Sequence, residues 1–376
     1  TAGTKQADNP RTTSSVETYV DGSENATRAV FSVDKFSPSV SNNAVQNTWM
    51  TSSTVTITVD DRFLNNAVNA SGTSSNLDRI LVIVVDRKTG TVLSTYDWST
   101  SNGVIPANTK NFSKAITINY SNYYENIGLD ITAWDKVGNS RTQSISNIKI
   151  DNSTTTVTIS PAPTDNWSKS QITPAVTFSK PGGTPFTKIQ IAETNSATPP
   201  ADGSSEWKVV ASELGTSYTY QTTSAGRTTN THYVHVIVDD GLHPTIRKTF
   251  GPYKVDLEAP SVAITSTAGS WMYKPTVSIA VTDSAVGSKL KSVKYTWKKT
   301  DGSTGGTQTI DLSASNVNTY SGTYTIDIPD NTYENNISCT VEVTDNAGNV
   351  FKSTITDLKA DKTSPTISIN PVNDSN

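Results

Sequence analysis

The chain is short of the residues that build disulfide frameworks and many enzyme sites. It has one cysteine, two methionines and three histidines among 376 residues. A single cysteine excludes a disulfide framework. No apolar run approaches the roughly 20 residues of a membrane-spanning helix, and the N-terminus carries no signal-peptide pattern. The sequence therefore predicts no membrane span in this segment.

Charged residues are also scarce, at 17% of the chain, and they nearly balance at a net charge of −4. This balance gives no basic footprint, so we expect no nucleic-acid partner. Serine, threonine and asparagine are abundant instead, together with valine, isoleucine and tyrosine. β-Branched and aromatic residues favour strands over helices. The composition predicts an all-β chain and gives no sign of catalysis.

A ten-residue pattern recurs along the chain, with an aspartate at its fourth position. In three copies a proline stands at the eighth position, whereas one copy has Thr155 there. The last three copies are 105 residues apart, so the pattern encloses three whole modules. The four copies span residues 31–40, 148–157, 253–262 and 358–367.

Each module repeats further features in the same order: a tryptophan, two alternating strands and a closing hairpin. Strict alternation of apolar and polar residues indicates a strand with one face in the core. About seven short strands in a module of this length is typical of an immunoglobulin-like sandwich. Because the tryptophans recur at one position, we predict that they are buried in the core. They are Trp49, Trp167 and Trp271.

The Asp-x-x-x-Pro joint and the turn Asp345-Asn-Ala-Gly-Asn349 resemble those of tandem bacterial Ig-like modules in large cell-surface proteins. Residues 257–361 carry the pattern best, whereas residues 152–256 lose the proline and the Gly-Asn turn. The resemblance implies an extracellular location at the cell surface, in a rod, stalk or adhesin segment.

We therefore predict tandem immunoglobulin-like β-sandwich modules arranged end to end as an extended rod. The first segment is interpreted as the closing hairpin of a preceding module or an N-terminal extension. The last segment is interpreted as the start of a following module. The predicted boundaries are 1–34, 35–151 for module 1, 152–256 for the divergent module 2, 257–361 for module 3, and 362–376.

The sequence offers little for catalysis. His232, His235 and His243 lie within 12 residues, but the first two point to opposite faces of a strand, which makes them a poor metal-binding pair. No nucleophile-elbow, phosphate-loop or zinc-ligand spacing is present. Cys339 alternates with apolar residues and is interpreted as a small buried hydrophobe. We predict that the chain is not an enzyme.

The predicted function is a non-enzymatic structural or stalk segment that spaces or presents an adhesive region. Two alternatives stay open: the modules bind a cell-surface glycan or host protein themselves, or like subunits assemble into an S-layer or filament. Trp98 and Trp207 are not repeated between modules, which makes them the candidates for a carbohydrate contact.

Acidic and amide side chains recur where the chain enters a module. In a seven-strand sandwich the loop after the second strand and the closing turn lie at this same end. Converging hard oxygen ligands suit Ca²⁺, but each aspartate can instead cap its own turn. The predicted ligands are Asp34, Asp61, Asp135 and Asn139 in module 1, and Asp256, Asp283, Asp345 and Asn349 in module 3.

Module 2 differs at this end. Lys180 replaces the carboxylate that follows the second strand, and Pro244 stands where the other modules have asparagine. We expect Lys180 to offset Asp151 or Asp240 at a partly exposed surface, worth about 0–1 kcal/mol. The sequence thus predicts Ca²⁺ at the first and third joints and none at the second.

Overall fold

A computed structural model describes residues 34, 36–61, 74–211 and 214–370, and these residues form strands without helices. Of the predicted segment 1–34, only Asp34 lies within the described residues. The described part of the chain contains no helix long and apolar enough to cross a membrane. The strands form six sheets, two in each predicted module. The prediction of an all-β chain of tandem β-sandwiches is confirmed.

Module 1 pairs a three-stranded sheet, in the order β1-β3-β6, with a five-stranded sheet, in the order β2-β8-β7-β4-β5. The alternation in β3 works as the sequence predicts, because Val55, Ile57 and Val59 are fully buried while the residues between them face outward. The strands are β1 (Ser39–Asn42), β2 (Trp49–Met50), β3 (Ser53–Asp60), β4 (Leu77–Asp86), β5 (Thr91–Ser99), β6 (Asn111–Ile118), β7 (Tyr123–Asp135) and β8 (Ser140–Asp151).

Module 2 has sheets in the orders β13-β10-β9 and β12-β11-β14-β15. Its counterpart of β2 is reduced to one parallel bridge, between Ser168 and Val255. The strands are β9 (Thr156–Ser160), β10 (Ala175–Ser179), β11 (Lys188–Thr194), β12 (Lys208–Ala211), β13 (Ser217–Gln221), β14 (Asn230–Asp239) and β15 (Ile246–Val255).

Module 3 repeats the arrangement of module 1, with sheets β16-β18-β21 and β17-β23-β22-β19-β20. Both of its sheets contribute to one apolar core, in which Val281, Tyr295 and Val341 are buried. The strands are β16 (Ser261–Ser266), β17 (Trp271–Met272), β18 (Thr276–Thr282), β19 (Leu290–Lys298), β20 (Thr304–Asp311), β21 (Thr319–Thr325), β22 (Tyr333–Asp345) and β23 (Val350–Asp361).

The chain divides into two compact units. The first unit extends as far as Thr156 and also includes two loops of module 2, Ser179–Phe186 and Asp240–Pro244. The second comprises the remainder of module 2 together with module 3. The loops that carry Lys180 and Asp240 therefore group with Asp151, the last residue of β8.

The predicted burial of the repeated tryptophans is wrong. Trp49 and Trp167 are only half-buried, and Trp271 is 52% exposed. Their equivalence holds for Trp49 and Trp271, which begin two-residue edge strands paired in parallel with β8 and β23. In β2 the next residue, Met50, packs on the core. Because strand neighbours face opposite sides, the tryptophan then faces outward.

Candidate functional site

The fold brings the predicted residues of module 1 together at one end of the sandwich. Asp34 precedes β1, Asp61 follows β3, Asp135 ends β7, and Asn139 stands directly before β8. Carboxylate oxygens of the three aspartates lie within 4.8 Å of one another. We call these four residues the first joint.

The same construction recurs in module 3. Asp256 follows β15, Asp283 follows β18, Asp345 ends β22, and Asn349 stands directly before β23. All three carboxylates are buried and lie within 4.8 Å of one another. These four residues are the third joint.

The aspartates at which the chain enters a module cap two backbone segments each. One oxygen of Asp256 accepts the N–H of Glu258 at 3.2 Å, and the other accepts that of Ser288 at 2.7 Å. Asp34 does the same, accepting from Phe36 at 3.1 Å and from Ser75 at 2.7 Å. Capping thus ties the entering chain to the loop after the second strand.

The aspartates of the closing turns are capped as well. Asp345 Oδ1 accepts the N–H of Gly348 at 2.7 Å and that of Asn349 at 2.8 Å. Asp135 Oδ1 likewise accepts from Val137 at 3.0 Å and from Asn139 at 2.8 Å. Turn-capping, one of the two predicted roles, is therefore present at both aspartates.

The third carboxylate of each joint is less well compensated. Asp283 is 5% exposed, and among the described residues neither of its oxygens has a hydrogen-bond partner. Asp61 is 7% exposed, and contacts with Ser74 and Asn76 favour its ionised form, but its Oδ2 is without a partner among the described residues. Leaving a buried polar group unpaired is costly. These two carboxylates call for a cation or a proton.

The raised pKa values of these two carboxylates agree with a need for a cation or a proton. Burial, and then the charges of Asp34 and Asp135, raise the pKa of Asp61 to about 7. Burial is also the largest cause that raises the pKa of Asp283 to about 6, with the charges of Asp256 and Asp345 adding to it. Each joint therefore resists holding three negative charges.

Each of the two asparagines bridges the turn aspartate and the entering backbone. Asn139 Nδ2 donates to the backbone oxygen of Asp34 at 3.1 Å and to Asp135 Oδ2 at 2.7 Å. Asn349 Nδ2 donates in the same way to Asp256, at 2.9 Å, and to Asp345, at 2.8 Å. In this arrangement the amide nitrogen faces the carboxylates, and the assignment of the two asparagines as Ca²⁺ ligands stays a prediction.

In module 2 the corresponding place holds an ammonium group. Lys180 Nζ lies 2.9 Å from Asp151 Oδ2 and 2.7 Å from Asp240 Oδ2, and its side chain is fully buried. The sequence predicted a partly exposed pair with one aspartate, which is wrong on both points. The lysine follows β10 and reaches inward, where it contacts both carboxylates at once. These residues, with His243, form the second joint.

His243, which sequence reasoning missed, takes the place of the asparagines. Its Nδ1 lies 2.8 Å from Asp240 Oδ2 and its Nε2 lies 3.1 Å from the backbone oxygen of Asp151. The equivalence assigned to Pro244 is therefore wrong, because this turn is one residue shorter. The ring therefore spans the turn aspartate and the entering backbone.

The two acids of the second joint are strongly stabilised in their ionised form. Burial alone would raise the pKa of Asp151, but hydrogen bonds from Ser153, Lys180 and Thr184 outweigh it and lower the pKa to about 2. The pKa of Asp240 is lowered too, because hydrogen bonds from Lys180 and His243 outweigh the effect of burial. This joint is compensated by its own side chains.

Two glycines allow the loop to approach the entering aspartate. A Cβ on Gly287 would lie 2.5 Å from Asp256 Oδ2, and one on Gly183 would collide with the carboxylate of Asp151. Gly183 also has a positive φ of 85°. The close approach places the N–H groups of Ser288 and Thr184 on these carboxylates.

The other candidates fare differently. Trp98 and Trp207, the candidates for any carbohydrate contact, are 4% and 8% exposed, so their choice as candidates is wrong. The interpretation of Cys339 is confirmed, since the residue is fully buried and burial raises the pKa of its thiol to about 11. Its module 1 counterpart, Leu129, is buried as well.

No family model matches the chain, and no curated protein matches it. Among solved structures, it is similar to Dpr2 Ig1-Ig2 in complex with DIP-Theta Ig1-Ig3, at 13% identity over 85% of this chain and 98% of that chain, with a TM-score of 0.35. A 1.5-MDa bacterial ice-binding adhesin matches at 12% identity over 87% and 99%, with a TM-score of 0.28. A Ca²⁺-stabilised adhesin of an Antarctic bacterium matches at 15% over 87% and 74%, with a TM-score of 0.26. These neighbours comprise immunoglobulin-like domains and bacterial adhesins.

Proposed function

We propose that the chain is a non-enzymatic, extracellular structural segment of a bacterial surface protein, built from tandem Ig-like modules that space or present an adhesive region. The observation that supports this function is the repetition of one polar joint at three places, always where the chain enters a module. A catalytic site has no need to recur with the fold, whereas a structural tie between modules does.

The proposed module boundaries lie at these joints, with modules at residues 35–151, 152–256 and 257–361. Pro260 follows the third joint closely, and proline restricts both its own φ and the residue before it. Short joints of this kind favour an extended array. Small-angle scattering of the full chain is expected to give the profile of an elongated particle, and the profile of a compact globule would contradict the proposal.

We further propose that the first and third joints bind Ca²⁺. Three carboxylates in each joint offer hard oxygen ligands, which Ca²⁺ prefers. The buried, unpartnered oxygens of Asp61 and Asp283 fit a bound cation, which would offset the repulsion among the three charges. Extracellular modules bind Ca²⁺ with dissociation constants of about 10⁻⁴–10⁻³ M, which suits such a structural role.

Calorimetric titration of the full chain with CaCl₂ tests this site. We expect two bound ions, and we expect Asp61→Asn and Asp283→Asn each to remove one. The matched control is Asp165→Asn, because the Asp165 side chain is 99% exposed and lies outside the joints. Absence of binding by the unsubstituted chain would contradict the proposed Ca²⁺ sites and would leave the joints held by the capping aspartates, such as Asp135 and Asp345.

A second candidate function is glycan binding by module 3. Three exposed aromatic side chains favour it: Trp271 at 52%, Tyr273 at 62% and Tyr333 at 64%. The rings of Trp271 and Tyr333 lie 6.5 Å apart, tilted by 58°. A glycan array probed with the full chain and with a Trp271→Ala, Tyr333→Ala variant separates the two functions. Glycan binding that is lost in the variant supports the glycan-binding function, and an array without signal contradicts it.

A further inference from the structure

The second joint has the same surrounding hydrogen bonds as the other two joints, but a different central group. Thr184 N–H donates to Asp151 Oδ2 at 2.7 Å, as Ser288 N–H donates to Asp256 Oδ2 at the same distance. His243 bridges the turn aspartate and the entering backbone, as the asparagines do. These surrounding hydrogen bonds are thus kept, while the side chain after the second strand changes from a carboxylate to an ammonium.

The ammonium lies where it compensates both remaining acids. Lys180 Nζ contacts Asp151 Oδ2 and Asp240 Oδ2, each within 3 Å, and it is excluded from solvent. In the third joint the charge of Lys289 does lower the pKa of Asp283, but its ammonium donates to the backbone oxygen of Ala285. Within the described residues, Asp283 forms no ion pair comparable to that of Lys180.

We propose that Lys180 is a built-in replacement for a divalent cation, and that the residue after the second strand decides whether a joint takes metal. A carboxylate at this position, as in Asp61 and Asp283, makes a three-acid joint that binds Ca²⁺. A lysine makes a joint with one fixed positive charge, which neither needs nor admits the ion. This inference rests on the proposed Ca²⁺ sites of the first and third joints.

The substitution Lys180→Asp tests the inference in the full chain. It creates a third three-acid joint, so native mass spectrometry and calorimetry with CaCl₂ alone are expected to find three ions instead of two. The control is Lys169→Asp, which adds the same carboxylate at an exposed position of the same module and is expected to leave two ions. Two ions in both variants, with module 2 folded, would overturn the inference.

The reverse substitution, Asp283→Lys, decides the matter if Lys180→Asp does not fold. We expect it to bind one ion and to hold module 3 together in a chelator. The single cysteine, Cys339, reports on this module because it is fully buried there. Labelling of Cys339 in EGTA is expected to be slower in the variant than in the unsubstituted chain. Equal or faster labelling contradicts the inference, whereas an unsubstituted chain that binds no Ca²⁺ contradicts the proposed function instead.

Discussion

A single position, the residue after the second strand, sets the charge balance of each joint. At the second joint Lys180 is paired with two acids, and breaking such a buried pair costs about 3–5 kcal/mol. At the third joint Asp283 is buried without a partner among the described residues. The same place in the fold therefore holds a paired charge in one module and, unless a cation is bound, an unpaired carboxylate in another.

Replacing Asp283 by asparagine is expected to stabilise module 3 in a chelator. The folded-state pKa of Asp283 is raised to about 6, so the carboxylate costs stability as the pH rises from its ordinary pKa of about 3.9 to about 6, and the full cost remains at higher pH. An amide cannot ionise and avoids this cost. We expect a gain of about 1–2 kcal/mol at about pH 8, reduced because the amide is itself imperfectly paired. Chemical denaturation in EGTA, followed by Cys339 labelling, measures it.

In excess Ca²⁺ we expect the Asp283→Asn variant to be less stable than the unsubstituted chain, because the variant has lost a ligand. Asp330→Asn serves as the control, since Asp330 is exposed and lies outside the joint. A variant that is less stable than the unsubstituted chain in EGTA would show that Asp283 is compensated by the protein itself.

A methyl group at Gly287 is expected to weaken the third joint. It would lie 2.5 Å from Asp256 Oδ2, so the carboxylate or the loop must move. Overpacking of this kind costs about 1–3 kcal/mol. Thermal unfolding of Gly287→Ala measures the loss, and Gly215→Ala is the control because a Cβ there meets no atom within 4 Å. Equal effects of the two substitutions would contradict the role given to Gly287.

The sequence identified the converging acids because their positions repeat with the fold. It could not identify the role of His243, because the shortened turn Asp240-Gly-Leu-His243 shifts the register by one residue. Neither could it predict that Lys180 contacts two acids, since reach and burial depend on where the loops pack. The amide orientation of Asn139 likewise depends on a backbone oxygen that only the folded chain brings close.

Among the secondary-structure elements, long strands were predictable and short ones were not. In β18 the alternation predicts the buried face correctly, because Val277, Ile279 and Val281 all lie in the core. β17 has only two residues, so it is too short to show an alternation that would predict whether Trp271 faces the core or the solvent. Repetition of a tryptophan at one position indicated equivalent places in modules 1 and 3 but carried no information about burial.

Strand β14 is expected to make module 2 sensitive to acid. His235 is fully buried on this strand, where its ring contacts Thr194, Ser196 and Thr249, and burial is the main cause that lowers its pKa. The folded state therefore keeps the ring neutral to a lower pH than the unfolded state, which takes up a proton below about pH 6.5. Stability is present above that pH and falls as the pH drops below it, by at most about 1.4 kcal/mol per pH unit.

Calorimetric unfolding of the full chain between about pH 7.5 and pH 5 measures this loss. His235→Gln is expected to unfold with a weaker pH dependence, because glutamine does not titrate. The control is Lys188→Gln, at an exposed position at the start of β11. If His235→Gln kept the full acid sensitivity, another group would have to be responsible.

At the scale of the whole molecule, the joints differ in what holds them, so removal of Ca²⁺ acts unevenly along the chain. The third joint has three buried acids, whereas the second has two acids and a lysine. In a chelator the connection at Asp151 is therefore expected to persist while the connection at Asp256 loosens. Modules 1 and 2 would then stay together as one protease-resistant piece.

Glu258 provides a reporter for the third joint. Its backbone N–H is held by Asp256 Oδ1 at 3.2 Å, while the residue itself is exposed. A protease that cuts after glutamate requires the local backbone to open, so cleavage is governed by the stability of this joint. In EGTA we expect cleavage after Glu258 to release the segment that contains module 3, and in Ca²⁺ we expect protection.

The variant Asp283→Lys is the decisive comparison in this experiment, because its third joint would carry a fixed positive charge as the second joint does. It is expected to resist cleavage after Glu258 equally well with and without Ca²⁺. Cleavage sites within strands give an internal reference for general unfolding. If the unsubstituted chain were cut after Glu258 at the same rate in both conditions, Ca²⁺ would have no part in closing this joint, and Asp256 and Asp345 would act through the backbone N–H groups that they cap.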